Sequence, residues 1–335
     1  MKKIIATLMT FLFSVLPLSA CKKEESGKTK VKISEVTHSV FYAPLYLADA
    51  LGYFAEENLE IELSNGGGAD NVMSAVLSGG VDVGFCGPEA ALYVLIGGST
   101  DAPKVFGQLT KRDGSFLVSR KSEPEFKWSD LSGKEILAGR KGGVPAMTFE
   151  YVLKNAGLKN GENVTLNYDV AFNLMTGAFE AGTADYCTMF EPTASEYQAA
   201  GKGYIVASVG EASGEVPYTC FMAKESWLKA NETTAKGILR AVAKAVKYVN
   251  EAEESAVAEA LKAYFDGTSA ASLTASVKSY KKIDAWVKNP AMTQDSLTRL
   301  QDIIEGAGEL SRRVTLAELT KNEYAEAVYR EVFGE

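Results

Sequence analysis

Residues 71–80 read NVMSAVLSGG and residues 173–182 read NLMTGAFEAG, and the two stretches align without a gap. Each places apolar side chains at four positions of one helical face and then ends in glycine. Each is followed by a strand pattern that contains aspartate, DVGFC at residues 82–86 and DYCTMF at residues 185–190, and then by a proline expected in the first turn of the next helix. Two copies of one helix–strand–helix unit predict two lobes of related topology around a shared cleft, although any two such units look partly alike.

Strand and helix patterns alternate along the chain from about residue 31 to about residue 208. Residues 31–36 and 59–63 alternate apolar and polar side chains, and residues 43–51 form a helical pattern that ends at Gly52. This alternation indicates an α/β fold with largely parallel sheets. After Tyr218 the pattern becomes helical, with predicted helices at 236–250, 255–265, 269–282 and 293–307. We expect this C-terminal third to pack back on the first sheet.

Composition and charge exclude several classes of protein. The 335 residues, 46% hydrophobic and 23% charged, suit a globular chain of about two domains. The formal net charge of -8 argues against a nucleic-acid partner, because an acidic surface repels phosphates. A single histidine and four cysteines without CxxC spacing argue against a metal site or a redox pair. Cys86 and Cys187 lie in apolar strand patterns, where we expect buried free thiols.

The N-terminus predicts export and lipid anchoring. Lys2 and Lys3 precede an apolar stretch over residues 4–18, which is too short to span a bilayer and fits a secretory signal. The sequence LSAC at residues 18–21 resembles the bacterial lipobox, which implies removal of residues 1–20 as a lipoprotein signal peptide and acylation of Cys21. An ordinary signal peptide followed by a chance cysteine is the alternative. Residues 21–30 are predicted to form a polar tether, so the body is expected outside the cytoplasm, held at the membrane by lipid alone.

The predicted ligand site lies at the cleft end of the strands, because ligands of open α/β sheets bind beyond the carboxyl ends of strands and against helix N-termini. Five loops qualify, at residues 37–42, 66–70, 87–89, 139–145 and 191–193. The candidate ligand-binding residues come from these loops, from the strand at 185–190, and from the point near residue 112 where the chain leaves the first of the two predicted lobes. They are His38, Phe41, Tyr42, Gly68, Asp70, Glu89, Arg112, Lys141, Tyr186 and Glu191.

Most of the candidates also have a structural interpretation. Phe41 and Tyr42 could belong to the core, and Asp70, Glu89 and Glu191 could serve helix starts, which favour carboxylates. Tyr186 is as well explained by core packing, Arg112 by an ion pair at a hinge, and the loop of Lys141 by a solvated turn.

No catalytic residue or cofactor is predicted. The sequence contains no GxSxG motif, and GRKGG at residues 139–143 lacks the spacing of a phosphate-binding loop. A general base would have to be His38, the sole imidazole, or a carboxylate. A dyad of His38 with Cys86 or Cys187 is formally possible.

Four stretches carry a family resemblance. Residues 38–46 (HSVFYAPLY), 50–61 (ALGYFAEENLEI), 79–84 (GGVDVG) and 128–134 (WSDLSGK) are similar to ABC-importer substrate-binding proteins of the SsuA/THI5-like (NMT1) family, within a match from about residue 31 to 227.

The resemblance implies a type II periplasmic-binding-protein fold, in which two α/β lobes joined by two crossovers close on a small molecule. That molecule is then delivered to a membrane permease powered by an ATPase. We expect lobe 1 to comprise residues 31–112 and 217–335, including the helical C-terminal part, and lobe 2 to comprise residues 113–216.

The resemblance leaves the ligand open, since family members bind alkanesulfonates, taurine, nitrate or thiamin-pyrimidine precursors. The family's fungal pyrimidine synthases carry a CCCFC segment, whereas residues 186–190 here read YCTMF, which places an enzymatic role in doubt. Aromatic and acidic residues in the predicted cleft favour an amino-bearing heterocycle, because a carboxylate such as Glu191 accepts hydrogen bonds from a ring amine and repels a sulfonate. A lipid-anchored solute receptor is the favoured class. An exported enzyme and a surface interaction module that uses the C-terminal helices are the alternatives.

Overall fold

A computed structural model describes residues 27–334. The signal peptide predicted over residues 1–20 and the lipidation predicted at Cys21 lie outside the described residues, as does most of the predicted tether.

Strands and helices alternate through the first two thirds of the described chain. The strands are β1 (Thr29–Glu35), β2 (Leu59–Asn65), β3 (Val83–Cys86), β4 (Pro103–Thr110), β5 (Ser115–Ser119), β6 (Glu135–Leu137), β7 (Thr165–Asn167), β8 (Tyr186–Phe190), β9 (Tyr204–Ser208) and β10 (Thr219–Lys224). The α-helices are α1 (Ala43–Ala50), α2 (Tyr53–Glu56), α3 (Ala69–Ser78), α4 (Glu89–Ile96), α5 (Val144–Asn155), α6 (Met175–Glu180), α7 (Thr193–Ala199), α8 (Val209–Ser213), α9 (Glu225–Ala230), α10 (Glu232–Glu251), α11 (Glu254–Leu261), α12 (Ala270–Lys282), α13 (Gln294–Gly306), α14 (Leu316–Leu319) and α15 (Asn322–Phe333). Short 3₁₀ turns occupy Val40–Tyr42, Trp128–Leu131, Phe172–Leu174 and Lys262–Tyr264.

The strands form two five-stranded sheets with the same plan, in the order β2-β1-β3-β10-β4 and β7-β6-β8-β5-β9. In each sheet the first three strands are parallel, and the fourth is antiparallel to both its neighbours. The predicted α/β class is therefore confirmed. The two similar sequence stretches occupy equivalent places, because α3 leads into β3 and α6 leads into β8, the third strand of each sheet.

The chain passes between the sheets twice, after β4 and before β10. The two crossovers lie side by side, since Val216 N donates to Lys111 O at 2.8 Å and Tyr218 N donates to Thr110 O at 3.1 Å. We propose to divide the chain at these crossovers, as the sequence suggests, and we use the names lobe 1 (31–112 and 217–335) and lobe 2 (113–216) in that sense.

The C-terminal helices contact both lobes. Helix α10 buries a stripe that includes Ile238, Val242 and Val246 and packs on α1, α2 and α15, while α15 packs on β4. Helix α12 also contacts α7, and α13 contacts α5, so this segment reaches lobe 2 as well as the first sheet, which the sequence pattern did not predict. No helix in the range 27–334 has both the length and the apolar character to cross a membrane.

Local helix starts differ from the predicted ones in detail. Pro88 and Pro192 occupy the N-cap positions of α4 and α7 rather than their first turns. The N-cap of α3 is Gly68, and Asp70 lies in the first turn of this helix rather than at its N-cap.

Candidate functional site

The loops at the carboxyl ends of the parallel strands of the two sheets face and contact each other. Ser39 Oγ and Val40 N, after β1, donate to the backbone oxygen of Glu191, after β8, at 2.6 and 3.3 Å. On the far side of the cleft, the hydroxyl of Tyr93 in α4 donates to Gly142 O at 3.1 Å. The two lobes therefore stand in a closed arrangement, and their interface is the place to search for a ligand site.

Glu89 places a buried acid in this interface. Its side chain begins α4 and is only 1% exposed, and its Oε1 accepts from Val144 N of lobe 2 at 3.4 Å. Its Oε2 is buried and has no hydrogen-bond partner among the described residues. Burial raises the pKa of Glu89 to about 7. The carboxylate rests directly on Gly87, where a Cβ would lie 2.0 Å from Oε2, so any larger residue would displace it.

Asp113 and Tyr218, one on each crossover, add two more buried oxygens. Asp113 Oδ1 accepts from Ser115 N and Oγ at 2.7 and 2.5 Å, but its Oδ2 makes no hydrogen bond within residues 27–334. The Tyr218 hydroxyl lies beside the Asp113 carboxyl and interacts with it, but it makes no hydrogen bond of ordinary geometry in the described part of the chain. Burial raises the pKa of Asp113 to about 6. The charges of Asp113 and Glu89 add to burial in raising the pKa of Tyr218, so the three groups share one region.

Aromatic rings from both lobes form the wall of this region. Phe41 of lobe 1 lies 5.7 Å from Phe190 of lobe 2 and 5.7 Å from Tyr218, measured between ring centroids. Phe172, also of lobe 2, packs against Phe190 at 5.8 Å. Tyr42 is buried beside them, and its pKa is raised mainly by burial and further by the charges of Glu35, Cys86 and, least, Glu89. Unsatisfied acids beside a cluster of tilted and edge-to-face aromatic rings can hold a flat ligand that carries hydrogen-bond donors.

The contacts of His38, which was predicted to bind ligand, are with other residues of lobe 1, and its ligand-binding role stays a prediction. Its Nδ1 lies 2.9 Å from Glu35 Oε1 and its Nε2 lies 2.7 Å from Tyr264 O. The ring packs between Tyr46 and Phe265, at 4.8 and 4.7 Å. A carboxylate and a carbonyl only accept, so these two contacts favour the doubly protonated imidazolium form of the ring. The hydrogen bond to Glu35 is the main cause that raises the pKa of His38.

Glu191 and Tyr186 also serve the scaffold. Both carboxylate oxygens of Glu191 accept from Ser195, from its N–H at 2.9 Å and its hydroxyl at 2.8 Å, which secures the start of α7. Tyr186 is the first residue of β8, at the strand end opposite the cleft, and its hydroxyl bonds to the carboxylate of Glu123 at 2.9 and 3.0 Å. These two positions therefore take the structural roles that the sequence had left open.

The remaining candidates lie at the rim of the cleft. Asp70, two residues after Gly68, forms an exposed ion pair between the lobes, with its Oδ1 3.5 Å from Arg140 Nε. Lys141 Nζ is 4.0 Å from Glu309 Oε1, in the chain after α13. Arg112 lies on the first crossover, where its guanidinium is 3.7 Å from Glu215. Each rim charge therefore has an acidic or basic partner.

The sequence reasoning missed Tyr218 and Phe190 and did not include Asp113 among the binding residues. No sequence motif surrounds these positions. The feature that could have identified them is their place beside the two crossovers between the lobes. Within residues 27–334 no group of three or more His, Cys, Asp and Glu side chains could hold a metal ion. Cys86, Cys187 and Cys220 are buried and free.

Comparisons with known proteins agree with this architecture. Residues 40–256 match the family described as NMT1/THI5 like. The chain is 41% identical over 320 residues to "Putative binding protein YtlA" of Bacillus subtilis (strain 168), covering 96% of both chains. It is 27% identical over 224 residues to the 4-amino-5-hydroxymethyl-2-methylpyrimidine phosphate synthase of Aspergillus parasiticus, covering 62% of this chain and 63% of that one. The periplasmic nitrate-binding protein NrtA from Synechocystis PCC 6803 superposes with a TM-score of 0.75 at 16% identity, over 91% of this chain and 89% of that one. The chain therefore belongs to the NMT1/THI5-like family and has the periplasmic-binding-protein fold.

Proposed function

We propose that this protein is a lipid-anchored, extracytoplasmic solute-binding protein of an ABC importer. It captures a small organic nutrient between its lobes and delivers it to the permease. We propose as nutrient a flat, amino-bearing heterocycle similar to the thiamin pyrimidine. The observation that carries this choice concerns Glu89 Oε2, Asp113 Oδ2 and the Tyr218 hydroxyl, which are buried beside aromatic rings of both lobes and have no hydrogen-bond partner within residues 27–334.

The chemistry of the three oxygens favours a ligand that donates hydrogen bonds. An ionised carboxylate only accepts, so the two acids are satisfied by N–H groups and most strongly by a cationic ring or amine. The cations Arg140 and Arg112 at the rim and crossover already face Asp70 and Glu215. A sulfonate, taurine or nitrate-like anion would instead meet two acids. Among the described residues Arg112 Nε is a buried cationic donor without a hydrogen-bond partner, but its guanidinium already faces Glu215, so we make an anion the second choice.

The carboxylates of Glu89 and Asp113 also explain why closure of the lobes would depend on a bound ligand. With the cleft empty, closing removes water from Glu89 and Asp113 without replacing it, which disfavours the closed form. A ligand that supplies donors to both acids removes this cost, and it shifts the population toward closure by its differential affinity for the closed form.

A thermal-shift screen tests the ligand class. We expect aminopyrimidines and related amino-heterocycles to stabilise the purified protein, by about 2.7 kcal/mol at about 100 times the dissociation constant. Alkanesulfonates, taurine and nitrate form the matched panel of anions, and the Glu89→Gln variant is the control for binding at this site. Stabilisation by an anion alone, retained in Glu89→Gln, would refute the ligand class. Failure of any bound ligand to make the protein more compact in solution scattering would refute capture by closure.

The relative named as a pyrimidine phosphate synthase raises an enzymatic alternative. The single cysteine in the corresponding segment, Cys187, is fully buried, and burial raises the pKa of its thiol to about 12, so it is not poised as a nucleophile. Chemical conversion of a bound pyrimidine by the purified protein, lost in Cys187→Ser, would establish the enzyme instead.

A further inference from the structure

Two of the three described cysteines stand directly opposite each other in the first sheet. Cys86 ends β3 and Cys220 is the second residue of β10, and the antiparallel register pairs Cys220 with Cys86. Both are fully buried, and the structure shows them as free thiols. We infer that Cys86 and Cys220 form a cross-strand disulfide when the chain folds in an oxidising compartment.

The register satisfies the geometric requirement for this bond. Opposite residues of an antiparallel pair have Cα atoms about 4.5 or 5.5 Å apart and point to the same face of the sheet. Disulfides join residues whose Cα atoms are about 4.4–6.8 Å apart. In the thiol state, Cys86 Sγ instead donates to Met222 Sδ at 3.7 Å, on the same face.

The third cysteine does not compete for either partner. Cys187 belongs to β8 of the second sheet, where the residues across from it are Val118 and Leu137. The odd number of cysteines after Cys21 therefore resolves into one pair and one lone thiol.

The bond would lie next to the proposed ligand site without crossing the cleft. Cys86 immediately precedes the loop of Gly87 and Glu89, and Cys220 lies two residues after Tyr218. Both strands belong to lobe 1, so the bond would fix the spacing of Glu89 and Tyr218 and leave the lobes free to open.

The reaction is an exchange with an external disulfide, either a small-molecule disulfide or the active-site disulfide of a thiol oxidase. One cysteine thiolate attacks it and forms a mixed disulfide, and the second displaces the remaining thiol. The two cysteines together lose two protons and two electrons, and the oxidant is reduced to two thiols. Burial raises the pKa of both thiols well above the ordinary value, so the exchange must occur before β3 and β10 pack together.

Peptide mapping of the exported full-length chain tests the inference. After thiols are blocked under denaturing conditions, we expect a cross-linked pair of peptides containing Cys86 and Cys220 that separates on reduction, and a blocked Cys187. Refolding the reduced chain with glutathione disulfide should give the same link, whereas adding glutathione disulfide to the folded reduced protein should not. Recovery of Cys86 and Cys220 as free thiols from both the exported and the refolded protein would overturn the inference.

A stability measurement supplies a second readout. We expect a reductant to lower the melting temperature of the wild-type protein and of Cys187→Ser by about 5–10 °C. Cys220→Ser should show no such effect. An equal response of Cys220→Ser and wild type would contradict the assignment. Ligand binding is scored separately, so a failed disulfide test leaves the proposed function standing.

Discussion

Replacing Glu89 with glutamine should stabilise the ligand-free protein while weakening ligand binding. The carboxylate is 1% exposed, and its Oε2 lacks a partner in the described chain, so its charge disfavours the folded, closed form. Glutamine keeps the acceptor that faces Val144 N and removes the charge. A residue with a scaffold role would show the opposite sign, since losing a contact lowers stability.

The size of the gain follows from the two pKa values. The pKa of Glu89 is about 7 in the folded protein, against an ordinary value of 4.5. Between these values the folded state holds the proton more tightly than the unfolded state. The contribution of Glu89 to the free energy of unfolding is therefore fully present below about pH 4.5 and is lost as the pH rises through about 7. The difference between the two pKa values of Glu89 corresponds to a loss of about 3 kcal/mol in the free energy of unfolding. Opening of the lobes rehydrates the carboxylate, which makes this figure an upper limit.

Urea unfolding at about pH 5 and about pH 8 measures this effect. Wild type and Glu89→Gln should be similar at the lower pH, and the variant should be more stable by up to about 3 kcal/mol at the higher pH. Asp113 titrates equally in both proteins, so their difference isolates Glu89. Asp70→Asn changes the net charge by the same amount at an exposed ion pair and should alter stability by less than about 1 kcal/mol.

Ligand affinity provides the second half of the test. Losing a charge-assisted hydrogen bond of about 1.5–3 kcal/mol should raise the dissociation constant about 10- to 150-fold, as measured by calorimetry. A Glu89→Gln protein that is less stable than wild type at about pH 8 would refute the reasoning, because it would assign Glu89 to the scaffold.

Three further variants test neighbouring features. Gly87→Ala should weaken ligand binding about as much as Glu89→Gln, with an unchanged circular dichroism spectrum, because the new Cβ would lie 2.0 Å from Glu89 Oε2 and displace the carboxylate; undiminished affinity would exclude this loop from the site. Tyr218→Phe removes an unpartnered hydroxyl, so calorimetry should show about 5- to 10-fold weaker binding with no loss of melting temperature. The pKa of His38 is raised by Glu35, so its stabilising contribution is complete below about pH 6.5 and is lost as the pH rises through the raised value. His38→Ala should therefore be less stable than wild type at about pH 6 by about 1 kcal/mol, since solvent screens this partly exposed ring, with a smaller difference at about pH 9; a constant difference would contradict the imidazolium.

The architecture could be predicted from the sequence because its signals are local. Alternation with period two marks strands, and the stripe of α10 marks a helix, whatever lies elsewhere in the chain. The similarity of residues 71–80 and 173–182 predicted related lobes because each stretch feeds the third strand of its sheet.

The binding residues could not be predicted as reliably, because their roles depend on contacts distant in sequence. His38 looks like a cleft residue until the fold brings Tyr264, 226 positions later, to its Nε2. Glu89 and Glu191 look alike in sequence, each next to a proline at a helix start. Only the tertiary structure distinguishes them, since Ser195 satisfies Glu191 and one oxygen of Glu89 is left open.

The paired crossovers limit how the two lobes can move. A single connection would let one lobe swivel about the chain axis, whereas two adjacent segments, held together at Lys111 and Val216, resist torsion and leave one easy bending direction. The same residues therefore come face to face each time the lobes approach. A molecule too thick for the cleft is therefore expected to stop closure at a wider angle between the lobes, without displacing one lobe laterally against the other. The angle between the lobes in a complex would then increase with the thickness of the ligand.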